Sequence, residues 1–128
     1  MKTITKKIKV VLVEDDALLV KVLLSELTRE GMEVVSVVNG LEAVGAVKES
    51  KPDIVLLDLI LPGLDGFEIL KQIKSDNQIK HIPVFVVSNL GGLSDVKSAK
   101  ALAADEYFIK ANTEVDEIIK AIKKKVNK

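Results

Sequence analysis

The sequence predicts an α/β fold with a doubly wound five-stranded parallel sheet, on three observations. Short apolar runs alternate with longer amphipathic stretches along the whole chain. Most of the runs are nearly continuous in apolar residues, the pattern of strands covered on both faces. The strand–helix units follow one another with no repeat, linker or low-complexity segment, as in sheets whose strands are joined by helical crossovers.

Ile8–Val13 is the first strand, ending in Glu14-Asp15-Asp16. Residues 16–30 place Leu19, Val22, Leu23 and Leu27 at helical spacing and stop at Gly31, with Asp16 as the cap. Met32–Val38 is a second strand, interrupted by polar Glu33 and Ser36. Asn39-Gly40 opens a helix through Leu41, Val44 and Val47 to Glu49. Pro52-Asp53 introduces the third strand, Ile54–Leu57, with Asp53 at its start and away from any site. After Pro62-Gly63, Asp65 caps a helix carrying Phe67, Ile69, Leu70 and Ile73. Pro83 precedes the fourth strand, Val84–Val87, a position that suits proline. Gly91-Gly92 is a flexible joint before a helix with Val96, Ala99, Leu102 and Ala103. The fifth strand is 106–109, and Asn112 or Thr113 caps the last helix, whose stripe is Val115, Ile118, Ile119, Ile122 and Val126. The more polar second strand suits an edge. The order 2-1-3-4-5, a flavodoxin-like arrangement, satisfies this and places a crevice between strands 1 and 3.

Composition narrows the function. The 128 residues suit one domain, with a core over about 8–127 and residues 1–7 as an N-terminal extension. Hydrophobic residues make up 48% and charged residues 30%, a globular balance. Nineteen basic and nineteen acidic residues cancel, so the basic excess of a nucleic-acid binder is missing. Without cysteine there is no disulfide, thiolate metal site or Cys nucleophile. No apolar run approaches the roughly 20 residues that cross a bilayer, which argues against a membrane partner. Met1–Lys7 lacks the apolar core of a signal peptide, so a cytoplasmic location is expected. The single His81 stands before Ile82-Pro83 at the start of a strand, which removes the commonest acid/base side chain.

The chemistry gathers at the carboxyl edge of the sheet, where open parallel sheets bind ligands. Asp58 follows Ile54-Val55-Leu56-Leu57; Glu14-Asp15, Ser88-Asn89 and Lys110 follow strands 1, 4 and 5. An acidic cluster, a hydroxyl and an ammonium therefore converge on Asp58, a set able to bind a divalent metal and transfer a phosphoryl group. Crowded carboxylates repel one another, and a divalent cation reverses that repulsion. Mg²⁺ suits the oxygen donors and keeps several waters. Lys110 is a compact charge on a flexible stem, able to pair with Asp58 and then with phosphate. Ser88 can donate one hydrogen bond to a phosphoryl oxygen.

With these residues in place, the chain resembles the receiver domains of two-component response regulators. The motifs are Val11-Leu12-Val13-Glu14-Asp15-Asp16, Pro52–Leu59 around Asp58, Leu61-Pro62-Gly63-Leu64-Asp65-Gly66, Ser88, and Tyr107-Phe108-Ile109-Lys110. Together, in this order and spacing, they are specific. The resemblance implies that Asp58 is the phosphoacceptor, Asp15 the main acidic metal ligand and Glu14 the outer one. It implies that the backbone carbonyl of Ile60 completes the protein's share of the shell around Mg²⁺, for which Mn²⁺ can substitute. It makes Tyr107 a rotamer switch that follows Ser88 and Lys110. It implies a histidine kinase or phosphotransfer protein as donor and an unknown downstream protein as target. The output surface would be the fourth helix, fifth strand and fifth helix, also the candidate face for homodimerisation. As a lone receiver the chain would be a switch and not an enzyme, with only self-catalysed phosphotransfer and slow autodephosphorylation.

Three departures stand out. Ala111 follows Lys110 where the family usually has proline; a cis bond without proline costs roughly 3 kcal/mol, so the isomer is left open. Asn89 replaces a small residue and would narrow the mouth of the site. Ala103-Ala104 replaces a frequent Gly-Ala. Ile60 and Leu90 flank the phosphoryl position and cannot hydrogen-bond an attacking water, so slow hydrolysis of the phosphoaspartate is expected. Taken singly, Lys120, Lys123, Lys124, Lys125 and Lys128 form the wet face of the last helix, at its negative dipole end. A phosphorylation-independent interaction module is the alternative reading, kept open by Asn89 and Ala111. A metal-dependent phosphatase is disfavoured because Ile60 stands where a second Asp would act as general acid. Neither GxxxxGK[ST] nor GxGxxG is present, which disfavours nucleotide binding.

Overall fold

A computed structural model describes residues 7–127, so Met1–Lys6 of the expected extension, and Lys128, lie outside the described residues. The apolar runs form β1 (Lys9–Val13), β2 (Glu33–Val37), β3 (Ile54–Leu57), β4 (Val84–Ser88) and β5 (Glu106–Ile109). The amphipathic stretches form α1 (Ala17–Arg29), α2 (Ala43–Ser50), α3 (Gly66–Ser75), α4 (Leu93–Ala101) and α5 (Val115–Val126). All strand pairs are parallel and the order is β2-β1-β3-β4-β5, as the sequence predicts.

The pleat sends alternate residues of each strand into two separate cores. Val11, Val13, Val55, Leu57, Val84 and Val86 pack under α2, α3 and α4, against Val47, Ile69, Ile73 and Ala99. Val10, Leu12, Ile54, Leu56, Phe85 and Val87 pack under α1 and α5, against Leu23, Leu27, Ile118 and Ile122. Every residue of β3 is buried, so Asp58 stands at the end of the most enclosed strand.

Several local expectations are corrected. Asn39-Gly40 opens a 3-10 turn over Gly40–Glu42, and α2 starts only at Ala43, because the Asn39 side chain caps the Leu41 N–H at 2.8 Å. Helix α4 ends at Ala101, leaving Leu102 and Ala103 outside it. Helix α5 is capped by Glu114, whose N–H donates to the Glu117 side chain at 2.9 Å; Asn112 lies in a 3-10 turn and the Thr113 hydroxyl turns back to the Ile109 carbonyl. Asp16 and Asp65 do cap α1 and α3. Among the described residues no peptide bond is cis, so Lys110-Ala111 is trans. The lysine face of α5 is largely ion-paired, Lys120 with Asp116, Lys123 with Glu30 and Lys125 with Asp105.

Candidate phosphoryl and metal site

Parallel pairing in register brings the ends of β1 and β3 side by side, with Val13 opposite Leu57. The Asp58 N–H donates to the Val13 carbonyl at 3.0 Å, and the Glu14 N–H donates to the Val37 carbonyl at 3.0 Å. The sheet's own ladder thus fixes the backbone of both acids. Glu14 is 1% exposed and Asp58 5%, while Asp15 beside them is open to solvent. Burying carboxylates so deeply requires partners.

Lys110 supplies them. Its Nζ lies 2.9 Å from Asp58 Oδ2, 2.9 Å from Glu14 Oε1 and 3.1 Å from Glu14 Oε2. The second Asp58 oxygen accepts the Ile60 N–H at 3.2 Å. Glu14 Oε2 also accepts the Asp16 N–H at 3.1 Å, while Asp16 spends its own side chain capping α1. Burial pushes the Glu14 carboxyl up to about 7; hydrogen bonds from Lys110 and the Asp16 amide pull against it, and the Asp58 charge adds to the rise. Burial acts to lower the Lys110 ammonium, but hydrogen bonds to Asp58 and Glu14 outweigh it and the net shift is upward. The ammonium therefore stays charged.

One oxygen from each of Glu14, Asp15 and Asp58 lies within 4.8 Å of the others. Three oxygen donors and no nitrogen or sulfur suit a hard cation such as Mg²⁺ or Mn²⁺. The donor set fits such an ion.

The fourth and fifth strands bring different groups to the same edge. Ser88 is the last residue of β4, opposite Ile109, and is fully buried. Its Oγ accepts the Leu90 N–H at 3.3 Å and makes no hydrogen bond to Asp58. The Tyr107 hydroxyl donates to the Leu90 carbonyl. Both side chains of the expected switch therefore hold one residue of the β4–α4 loop, a meeting point that main-chain groups give no sequence sign of. Burial first, then the charges of Asp95 and Asp58, raise the Tyr107 hydroxyl above its ordinary value, which keeps it a donor. Asn89 is exposed on the α1 side of the mouth, in a groove with Lys110, Ala111, Leu18 and Val22. Ile60 is 56% exposed and shares an apolar groove with Leu61, Phe67 and Leu90. Asp53 lies at the other end of β3, accepting the Lys9 N–H at 2.8 Å.

Residues 10–123 match the family model of the response regulator receiver domain. The chain is 37% identical over 115 residues to sporulation initiation phosphotransferase F of Bacillus subtilis (strain 168), covering 89% of this chain and 90% of that protein. It is similar to the phosphorylated cyanobacterial phytochrome response regulator RcpA, at 32% identity with a TM-score of 0.81, over 93% of this chain and 91% of that one. It is also similar to the Mn²⁺-bound form of response regulator Rcp1, at 28% identity with a TM-score of 0.79, over 90% and 91% of the two chains.

Proposed function

Because this chain belongs to the response regulator receiver family, we propose that it is a phosphorylation switch in which Asp58 accepts a phosphoryl group from a histidine kinase or phosphotransfer protein. The observation that carries this reading is the three-way contact of Lys110 with Asp58 and Glu14, at 2.9 Å each, beside an oxygen cluster fit for a divalent cation. The similarity to a sporulation initiation phosphotransferase and to the phosphorylated RcpA supports a phosphotransfer role.

Each residue has a task in this reading. Asp58 attacks phosphorus through a carboxylate oxygen; an O–P bond forms as the P–N bond to the donor imidazole breaks. Glu14, Asp15, Asp58 and the Ile60 carbonyl would hold Mg²⁺, or Mn²⁺ in its place. A cation bound there would supply neutralisation of the charge developing on the phosphoryl oxygens. Lys110 already sits on Asp58 and pairs with the phosphoryl group once it arrives. Positioning and charge dominate, since phosphoryl transfer asks little covalent work of the protein. Ser88 exchanges its Leu90 contact for a phosphoryl oxygen, and Tyr107 moves with the loop it holds. This is a population shift between two loop states. The output face is α4, β5 and α5, where a downstream protein or a second copy docks. No helix among the described residues is long and apolar enough to cross a membrane.

Intact mass after incubation with acetyl phosphate, with and without Mg²⁺, tests the proposal. One Mg²⁺-dependent phosphoryl adduct is expected in the wild type and none in Asp58→Asn. The adduct should decay slowly, because Ile60 and Leu90 carry no group that can orient water. An adduct that persists in Asp58→Asn would move the acceptor elsewhere; a folded chain that neither binds Mg²⁺ nor takes an adduct would favour an interaction module.

A further inference from the structure

The loop between β3 and α3 carries Ile60, yet it is mostly exposed and short of internal support. Within the loop and its flanks, Ile60 N–H bonds to Asp58, Asp65 caps Phe67, and Gly66 N–H bonds to Leu59. Among the described residues, a single hydrogen bond ties residues 60–65 to a distant part of the chain. The Gly40 N–H, in the β2–α2 corner, donates to the Pro62 carbonyl at 3.0 Å.

The contact is tight on both sides. A Cβ on Gly40 would stand 2.3 Å from the Leu64 carbonyl oxygen and 2.8 Å from the Leu64 nitrogen. A Cβ on Gly63 would stand 2.3 Å from Asn39 Oδ1, and Gly63 has a φ of +91° that L side chains rarely adopt. Asn39 Oδ1 is itself fixed, because it accepts the Leu41 N–H at 2.8 Å. The far end of the loop is equally close: a Cβ on Gly66 would stand 2.3 Å from Leu59 Cα and 2.6 Å from the Asp58 carbonyl oxygen. Packed backbone leaves little slack to absorb a shift.

We infer that Asn39 and Gly40 are positioning residues for the divalent-cation site, acting through the Pro62-Gly63-Leu64 segment on the Ile60 carbonyl. The inference rests on the proposed role of that carbonyl. Groups behind the ligands of a metal often decide its affinity, and losing one typically weakens binding by roughly ten- to a hundredfold. Neither Asn39 nor Gly40 hydrogen-bonds to Glu14, Asp15 or Asp58, so the effect inferred for them travels through the loop.

The test is Mg²⁺ titration of the wild type, Gly40→Ala and Asn39→Ala, followed by backbone amide NMR, with thermal stability of each metal-free chain measured alongside. Gly45→Ala is the control, because Gly45 is exposed in α2 and an added Cβ meets nothing within 4 Å. Gly40→Ala is expected to weaken Mg²⁺ about tenfold or more. Asn39→Ala, which removes the carboxamide beside Gly63 without adding bulk, should weaken it by a smaller factor, and Gly45→Ala should leave it unchanged. In the wild type Mg²⁺ should shift the Gly40 amide and slow its hydrogen exchange more than that of Gly45, an effect that a merely structural role would not produce. Unchanged affinity in Asn39→Ala together with an unresponsive Gly40 amide would overturn the inference while leaving the metal site standing. A wild type that binds no Mg²⁺ would overturn both.

Discussion

At the scale of single residues, Glu14 gives the site a measurable pH dependence. Its carboxyl sits at about 7 against an ordinary 4.5, with burial as the main cause. Between those values the folded chain holds a proton that the unfolded chain has released, so the free energy of unfolding falls as pH rises. The contribution is complete below the ordinary value and is lost as pH passes through the folded one. The metal-free chain is therefore expected to melt at lower temperature at pH about 8 than at about 5, and Glu14→Gln should flatten that slope. Thermal denaturation in chelator checks both. The acids and Lys110 were legible in the sequence because a residue that follows a buried strand has its place dictated by the sheet. The Leu90 backbone was not, since any residue can offer an N–H and a carbonyl. The Gly40–Pro62 contact was hidden for another reason: it joins two loops that only the finished fold brings together.

Two helix ends show how far an element can be read. Helix α1 closes with the Gly31 N–H on the Thr28 carbonyl and the Met32 N–H on the Leu27 carbonyl. Helix α4 closes with the same pair of bonds, Ala103 to Lys100 and Ala104 to Ala99. This paired closure needs a left-handed residue, and φ is +83° at Gly31 and +71° at Ala103. Glycine adopts that conformation freely, whereas a Cβ there costs roughly 1–2 kcal/mol. Gly31 thus announced its helix end, while Ala103 read as one more helical alanine and α4 was expected to run too far. Ala103→Gly is expected to stabilise the chain by about 1 kcal/mol, since Ala103 is exposed and loses little by truncation. Urea unfolding should show a higher midpoint at unchanged slope. The cap of α5 was misplaced by similar logic. Asn112 and Thr113 are better cap residues by type than Glu114, but Thr113 spends its hydroxyl on Ile109.

At the scale of the molecule, strand order and crevice followed from the pattern of apolar runs, because only a few right-handed windings of five such units exist. What that pattern does not give is where the surface stays apolar. Leu18, Val38, Leu41, Ile60 and Leu93 are all more than half exposed, and all lie in βα connections or the first turn of the following helix. They therefore rim the edge that holds Asp58. Contiguous exposed apolar surface marks protein contacts, and in the proposed function a protein phosphodonor approaches this edge. Leu18→Lys, at a side chain 73% exposed, should leave melting temperature and acetyl phosphate labelling unchanged and slow transfer from a protein donor. Equal transfer rates would place the donor elsewhere. The β2–α2 corner also bears on how the protein ages. An asparagine before glycine is prone to deamidation, in which the glycine nitrogen attacks the carboxamide carbon, ammonia leaves, and water opens the ring to aspartate or isoaspartate. Here the Gly40 N–H is engaged by Pro62 and the Asn39 carboxamide is held by Leu41. Mass spectrometry of stored protein should find Asn39 intact while the chain is folded and rapidly converted in urea, so the chemical shelf life of this corner depends on the fold that encloses it.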